Sequence, residues 1–336
     1  MSDISRNEGK VFAMPAKMTV RVTMVAAMAI AIGLTICLAT PFQAHAAELQ
    51  AASGDELTSQ STFSTQATVH KIKTAADWHK IGTYSGGTFK VVSDIKLKKL
   101  NQYLSITKNK KYVIDLNGHK VQTTYSGDQV EKRSAPLEIS QGTVVIKDSS
   151  KKKKGVFRGT EGVTVLVEKS AKFYLKSGTI NNDFLDYNNT ACSAIMAVGT
   201  SKVYLNGGNV TGIVHGVFAT DSTSVNTTGV GTKTYPYIRG KDGCGIGVAS
   251  TNVSLTLNGG SFGTAATPDS GGWTQSGWYP VLDTAGSSLK TAAGCKYVDS
   301  NGDTVDITTT LFGMSKRLTT NVKSPDGYYT VYVVKA

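Results

Sequence analysis

The chain has 336 residues and a formal net charge of +12 at pH 7, with a sequence pI near 9.4. Its length allows one elongated domain with a continuous hydrophobic core. The strong positive charge favours an anionic neighbour. Nucleic acid is not expected as that neighbour, because the chain carries no nucleic-acid-binding motif and begins with the features of an exported protein.

Residues 1–46 have the pattern of an export signal. Four basic residues precede an apolar run (22–39), and Ala44-His45-Ala46 offers small residues for cleavage. The run is nearly long enough to span a membrane, so an uncleaved anchor is the alternative. The break at Pro41 favours cleavage, which removes four basic and two acidic residues and leaves a net charge of about +10. We therefore expect a secreted or surface-associated protein without a stable membrane anchor.

The region after the signal predicts a leader and then a short helix. Residues 47–70 are rich in Ser, Thr, Ala and Gln, which is typical of a mobile leader. In TAADWHKI (74–81), Thr74 is a candidate N-cap with Asp77 at the third position, and Trp78 and Ile81 share one face. Because the end of a stack of repeats needs a cover, we expect this helix to cap the N-terminal end.

The middle of the chain repeats itself, beginning after a first strand predicted within GGTFKVVSDIKL (86–97). A period of about 30 residues indicates stacked units, and alternating apolar residues indicate strands. One degenerate copy, VNTTGV (225–230), follows Val203 by 22 residues. The inward apolar residues of the five clear copies are Leu116, Ile146, Leu175, Leu205 and Leu257, and those of a second series are Leu137, Val165, Ile195, Val217 and Ile246.

Turn residues and the C-terminal sequence predict the corners of the repeats and a closing strand. NG, SG and GG pairs predict tight corners, and Asn117, Asn206 and Asn258 are interpreted as a stacked asparagine ladder. YYTVYVV (328–334) predicts a strand that closes the C-terminal end. We therefore divide the mature chain into a repeat stack over 71–300 and cap strands over 301–336.

Three cysteines remain after cleavage: Cys192, Cys244 and Cys295. Cys192 and Cys244 precede strands two turns apart, about 9–10 Å at the spacing of paired strands. That separation exceeds ordinary disulfide reach. We expect buried thiols.

The segments SDIKL and LSITKNKKYVIDLNGHKV, followed by Φ-x-Φ-x-G-G-x-Φ turns, resemble secreted β-helix proteins of the pectin-lyase-like superfamily. The pattern is most similar to adhesin-like surface proteins of Gram-positive bacteria. The resemblance implies an all-β fold, a single-stranded right-handed parallel β-helix with a short N-terminal capping helix and a β-rich C-terminal cap. It leaves function open, because the superfamily includes lyases, glycosidases, adhesins and inert stalks.

The enzyme members of this superfamily suggest where catalysis would lie. Similarity to the lyases implies a Ca²⁺ site, for which Asp183, Asp186 and Asp221 are the candidates; solvated loop carboxylates are the alternative. His215-Gly216 and Arg239-Gly240-Lys241 echo two glycosidase elements, but the paired aspartates that such hydrolysis needs are missing from the sequence. We therefore assign no catalytic residue and no cofactor, interpret His215 as flanking a strand, and interpret Arg239 as a surface charge.

Binding residues are expected in the loops. A run of four lysines must project into solvent because like charges repel, and it consists of Lys151, Lys152, Lys153 and Lys154. Lysines of the first turns (90, 96, 98, 99, 108, 110 and 111) could join this run in one positive strip. Trp273, Tyr235 and Tyr237 lie in or beside loops and have flat faces suited to sugars. The alternative for the lysines is a plain solvated loop. Trp278 and Tyr279, next to Trp273 in the same loop, could instead cover the end of the apolar core.

These observations favour a secreted, non-enzymatic β-helix that binds a surface or an anionic glycan. The expected partner is an anionic cell-wall polymer, a polysaccharide or a surface protein. Two alternatives stay open: an enzyme acting on acidic polysaccharide, with Ca²⁺ if it is a lyase, and a structural module of a surface assembly.

Overall fold

The computed structural model describes residues 68–124, 135–160, 162–183, 192–229, 235–265, 279–283, 289–309 and 316–336. The predicted signal and nearly all of the predicted leader lie outside this set. The described residues belong to one unit, Ser64–Ala336. Among them, no helix is long and apolar enough to cross a membrane.

The described strands form three nine-stranded sheets, which we call A, B and C. From β2 to β23, successive strands join sheets A, B and C in rotation, and strands three places apart along the chain pair in parallel. The protein is therefore all-β with mostly parallel sheets, as predicted. This strand order is compatible with a β-helix.

Sheet A contains, in spatial order, β1 (Val69–Ile72), β2 (Gly87–Val91), β5 (Lys111–Asp115), β8 (Thr143–Lys147), β11 (Lys172–Leu175), β14 (Lys202–Leu205), β17 (Ser224–Thr227), β20 (Ser254–Leu257) and β23 (Leu289–Thr291). Sheet B contains β3 (Ile95–Leu97), β6 (Lys120–Thr123), β9 (Val156–Gly159), β12 (Thr179–Asn182), β15 (Asn209–Gly212), β18 (Tyr237–Gly240), β21 (Gly260–Thr264), β27 (Tyr329–Lys335) and β24 (Cys295–Val298). Sheet C contains β4 (Leu104–Ile106), β7 (Leu137–Ile139), β10 (Val163–Val167), β13 (Ser193–Ala197), β16 (His215–Ala219), β19 (Ile246–Val248), β22 (Val281–Asp283), β26 (Lys316–Leu318) and β25 (Thr308–Thr309).

The repeat registers agree with the sequence pattern except in the first copy. All five residues of the second series are aligned on adjacent strands of sheet C, and Val225 of the short copy pairs with Val203. In sheet A, however, Ile114 and not Leu116 pairs with Ile146. Both Ile114 and Leu116 are fully buried, so their apolar character could not distinguish two registers that differ by two residues.

The predicted asparagine ladder is wrong. Asn206 occupies the corner after β14, and its neighbours at the same corner of the adjacent turns are Lys176 and Thr228, not asparagines. The backbone N–H groups at this corner show the equivalence: that of Lys176 donates to the carbonyl of Ile146, that of Asn206 to Leu175 and that of Thr228 to Leu205. Glycines with positive φ close the corners, as the GG and SG pairs predict. Gly208 has φ +78°, and a Cβ there would lie 2.5 Å from the Gly178 carbonyl oxygen.

The N-terminal helix is confirmed. Helix α1 (Ala75–Lys80) begins at Thr74, whose side chain accepts from the Asp77 N–H while the Asp77 carboxylate accepts from the Thr74 N–H. Trp78 and Ile81 are fully buried, and the Trp78 ring lies 5.3 Å from the Phe157 ring. Two short 3-10 helices follow, Ile81–Thr83 and Leu100–Gln102. Strand β1, which precedes the helix and pairs with β2, was missed by the sequence analysis.

The C-terminal end changes from parallel to antiparallel pairing. Strand β27, predicted from YYTVYVV, pairs antiparallel with β21 and with β24, while β26 pairs antiparallel with β22. We call residues 316–336 the C-terminal segment. Its strands cover the last parallel strands of sheets B and C, and β24 and β25 form the outermost edges of those sheets.

The three cysteines are buried thiols, as expected. The carbonyl of Cys192 accepts from His215, and that of Cys244 accepts from Gly216, so one turn of sheet C lies between the two cysteines. Burial raises the pKa of the Cys244 thiol to about 12.

Candidate functional site

The predicted basic run lies in the loop between β8 and β9. Its four lysines are all exposed, as predicted: Lys151, Lys152, Lys153 and Lys154. They are not equivalent, because the Lys153 ammonium donates to the Asp148 carbonyl at 2.7 Å and the Lys153 backbone has a positive φ of 49°. Lys153 is therefore drawn back onto its own loop, a contact that charge repulsion alone did not predict.

Asp148 orders this loop. Its carboxylate accepts hydrogen bonds from the N–H groups of Gly118 (2.9 Å), Ser150 (3.0 Å) and Gly155 (2.6 Å). Burial alone would raise the pKa of Asp148, but these hydrogen bonds together lower it below its ordinary value. The lysines therefore extend from a loop with a fixed base.

Further lysines border the outer face of sheet A. At the first residue of their strands, Lys172 and Lys202 are direct neighbours, and Lys111 is separated from Lys172 by Thr143. We call Lys111, Lys172 and Lys202 the entry row. At the other edge, Lys90, Lys147 and Lys176 form what we call the exit row, on the side from which the Lys151–Lys154 loop leaves the sheet.

The lysines of the two rows differ in their partners. Lys147 Nζ lies 3.9 Å from the buried Asp115 carboxylate. Lys172, Lys176 and Lys202 are exposed and take part in none of the ion pairs between described residues. The predicted lysines of the first turns do not form one strip, because Lys90 and Lys111 lie at opposite edges of sheet A and Lys96 lies on sheet B.

Two tyrosines lie between the rows. Tyr174 and Tyr204 pair on neighbouring strands, and their rings stack with centroids 4.5 Å apart and planes inclined by 10°. Both side chains are half-buried. Burial and the neighbouring Tyr204 raise the pKa of Tyr174, so its hydroxyl stays neutral at physiological pH.

The aromatic residues predicted from the sequence lie elsewhere. Tyr235 is 50% exposed next to the start of β18. Tyr237 lies on the outer face of sheet B, where its hydroxyl donates to the Asp326 carboxylate and its ring covers the Arg239 guanidinium at 3.4 Å. Trp273 lies outside the described residues.

Arg239 is not a surface charge, as the sequence suggested, but is fully buried. Tyr237 covers the guanidinium from the same strand and Tyr328 covers it from the C-terminal segment, while Nη1 donates to the Ser261 carbonyl and Nη2 lies 3.5 Å from Asp326. Burial lowers the pKa of Arg239 to about 9. This side chain anchors the C-terminal segment to sheet B.

Asp183 and Asp221, the two candidate metal-binding aspartates among the described residues, have separate partners. Asp183 pairs with Arg158 and, at 3.3 Å, with Lys241 on the sheet B side. Asp221 lies in the turn between β16 and β17, where it accepts from the Gly199 N–H at 2.7 Å. Asp186 lies outside the described residues. Within the part of the chain that is described, no three His, Cys, Asp or Glu side chains cluster as a metal site would require.

His215 opens strand β16, consistent with its interpretation as a strand-flanking residue. Its ring stacks on Phe218 at 5.2 Å, and Nδ1 accepts from the Cys244 N–H at 3.4 Å. Burial lowers the pKa of His215 to about 4, so the ring is neutral at physiological pH.

Comparisons with protein-family models, with curated proteins and with solved structures found no match to this chain. The parallel sheets are compatible with the pectin-lyase-like resemblance, but the resemblance has no support from a homologue.

The lysine rows and the tyrosine pair were missed by sequence reasoning, although the sequence holds their signal. Lys172-Phe-Tyr-Leu and Lys202-Val-Tyr-Leu repeat the same four positions 30 residues apart. An outward lysine and an outward tyrosine at equal positions of consecutive repeats must become neighbours when the repeats stack in parallel.

Proposed function

We propose that the chain is a secreted, non-enzymatic right-handed parallel β-helix of the pectin-lyase-like type, which binds an anionic polymer at the surface of a Gram-positive cell. The observation that carries the binding function is the pair of lysine rows along the outer face of sheet A, continued by Lys151–Lys154. Positive charges on a regular face attract a polymer with regularly spaced negative charges.

The strand order supports the fold. A rotation of strands among three parallel sheets is what a chain winding as a helix would produce, and crossovers between parallel strands are nearly always right-handed. The signal-like sequence 1–46 supports export. Export is tested by sequencing the N-terminus of the protein recovered from culture medium: a start at Ala47 is expected, and an intact residue 1 would contradict cleavage.

Residues singled out by the likeness to glycosidases and to lyases have structural partners, which favours binding over catalysis. Arg239 lies beneath the C-terminal segment, and Asp183 is neutralised by Arg158 and Lys241. Incubation with polygalacturonate and with alginate, with and without Ca²⁺, is expected to release neither unsaturated products nor new reducing ends. Turnover that disappears in the Asp183→Ala variant would replace this proposal with the enzyme alternative.

Binding is tested by retention of the purified protein on immobilised anionic polymers. Retention should fall as salt is raised, because exposed charges are screened. Replacing Lys151–Lys154 with Gln should weaken binding about tenfold, since each exposed charge contact contributes on the order of 0.2–1 kcal/mol. Within this set, Lys152→Gln should weaken binding more than Lys153→Gln, because the Lys153 ammonium is already held by the Asp148 carbonyl.

The matched control for the four-lysine variant replaces four lysines elsewhere. Lys296 and Lys335 lie on β24 and β27, and Lys71 and Lys73 lie in and just after β1. The control removes the same net charge and leaves the loop intact. An equal loss of retention in the control would show that net charge alone is responsible.

A further inference from the structure

On the outer face of sheet A, the stack of Tyr174 and Tyr204 ends beside the smaller Asn226. We call this change in height between Tyr204 and Asn226 the step. The outward residues that follow one another across the sheet are Val145, Tyr174, Tyr204, Asn226 and Thr256. One face of the Tyr204 ring is turned toward Tyr174. Its other face is turned toward β17, where the next outward residue is the much smaller Asn226. A large flat ring therefore stands beside a lower surface.

The floor of this step is polar. Asn226 Nδ2 donates to Ser224 Oγ of the same strand at 2.8 Å, which directs the amide along the strand. The neighbouring strand β20 adds the outward Ser254 and Thr256. Hydroxyl and amide groups at strand spacing offer hydrogen-bond donors and acceptors to a ligand with several hydroxyls.

One edge of the step is basic. Lys202 lies two residues before Tyr204 on the same strand, and Lys172 is its direct neighbour. Outward residues two apart on a strand are separated by about 6.6 Å. From Thr143 of β8 to Thr256 of β20, no outward strand residue of sheet A is acidic. The turns that lead into these strands hold Glu168 and Asp221, and Asp221 already accepts from Gly199.

A ring face, a hydroxyl-bearing floor and a lysine pair match one chemical class of ligand. We infer that the step between Tyr204 and Asn226 binds a uronic acid unit of an acidic polysaccharide. The apolar face of the sugar packs on the free face of Tyr204, its hydroxyls bond to Asn226 and Ser224, and its carboxylate contacts Lys202 and Lys172. The inference rests on the proposed function and names the polymer class and the site.

The Tyr204 ring distinguishes a uronic acid ligand from polyanions without sugar units, because only a sugar has a face that can pack on the ring. A polymer held by charge alone, such as a polyphosphate or an acidic polypeptide, needs the lysines but has no sugar face to place on a ring. Tyrosine supplies a large rigid contact surface at a small entropic cost, so its removal should weaken sugar binding selectively.

The test uses the purified full protein with polygalacturonate and, as a charged polymer without sugar, poly-L-glutamate. Tyr204→Ala should weaken polygalacturonate binding about tenfold and leave poly-L-glutamate binding within about twofold, whereas Tyr204→Phe should preserve both. Lys172→Gln with Lys202→Gln should weaken both polymers more than the charge-matched Lys296→Gln with Lys335→Gln. Thr308→Ala, on sheet C, controls for substitution of an exposed strand residue.

Each outcome bears on the inference separately from the proposed function. An unchanged polygalacturonate affinity in Tyr204→Ala, or an equal loss for both polymers, would overturn the uronate site and leave binding by charge intact. Failure of the unaltered protein to bind any polyanion would remove the proposed function as well. If Tyr204→Ala fails to fold, saturation-transfer NMR of the unaltered protein with galacturonate oligomers decides: transfer to sugar ring protons is expected, and its absence would overturn the site.

Discussion

Outward-facing cations are buried on sheet B at Arg239 and exposed on sheet A at Lys202. On sheet B, the Arg239 guanidinium is sealed between Tyr237 and Tyr328 and bonds to main-chain oxygen. On sheet A, Lys202 is exposed beside Tyr204 and makes no ion pair with a described residue. Both faces combine a cation with tyrosine rings.

The difference between the two faces is the C-terminal segment. It brings Tyr328 and Asp326 over Arg239, so the Arg239 guanidinium on sheet B is engaged in intramolecular contacts. Sheet A also carries a cation and tyrosine rings, Lys202 beside Tyr204, but the C-terminal segment does not pair with sheet A. Residue type at an outward strand position therefore does not distinguish a buried anchor from an exposed surface; the covering segment does.

The largest effect is expected from removing the covered cation. Arg239→Ala should lower the free energy of unfolding by about 3 kcal/mol, because it empties a buried site and leaves the Asp326 carboxylate without its cation. Guanidinium unfolding followed by circular dichroism measures this change, and limited proteolysis should show the C-terminal segment cut first. Lys202→Gln is the exposed-cation control, and equal stability of the two variants would refute the anchoring role.

A smaller effect, dependent on pH, is expected at the base of the lysine loop. Asp148→Asn should cost about 1–2 kcal/mol at pH 7, since three N–H groups lose a charged acceptor. Because folding lowers the pKa of Asp148 below 3.8, its stabilising contribution is complete above that value and is lost as the pH falls through the folded pKa. Unfolding of the variant and the unaltered protein should therefore converge in acid.

The exposed Asp94 supplies the control for this measurement. Its carboxylate accepts from the Lys120 N–H at 2.9 Å but remains largely solvated. Asp94→Asn should change stability by less than about 0.5 kcal/mol. A difference between Asp148→Asn and the unaltered protein that stays constant down to a pH of about 2 would contradict the role assigned to the charged carboxylate.

The open tyrosine pair should contribute modestly to stability. Tyr204→Ala should lower the free energy of unfolding by about 0.5–1 kcal/mol, the usual size of an aromatic cross-strand pair on a half-buried face. Urea unfolding measures it, with Asn226→Ala as the neighbour on the same face. A loss as large as that of Arg239→Ala would mean that Tyr204 serves mainly in folding.

The smallest effect is expected at the entry row. Lys172→Gln should change stability by no more than about 0.5 kcal/mol, because the lysine is exposed and makes no ion pair with a described residue. Thermal unfolding checks this, and polymer retention of the same variant should fall measurably. A variant that is destabilised while retaining full polymer affinity would assign Lys172 to the fold and not to binding.

The local and periodic features of this protein could be predicted from its sequence. Apolar residues at equal positions predicted the aligned Leu137, Val165 and Ile195, because equivalent residues of successive repeats become neighbours when the repeats stack. Thr74 and Asp77 predicted the start of the helix, since a capping box is satisfied within four residues. Repulsion among neighbouring lysines predicted that Lys151–Lys154 are exposed.

Which outward residues meet and which are covered depends on long-range packing and could not be predicted from local patterns. Ile114 and Leu116 are equally apolar, so strand pairing alone set the first register. The burial of Arg239 depends on Tyr328 and Asp326, on a segment far along the chain, and no local pattern encodes that contact. The pairing of Tyr174 with Tyr204 likewise requires a parallel register. The burial of apolar core residues follows from the local repeat, whereas the burial or exposure of an outward residue depends on which distant segment packs against it.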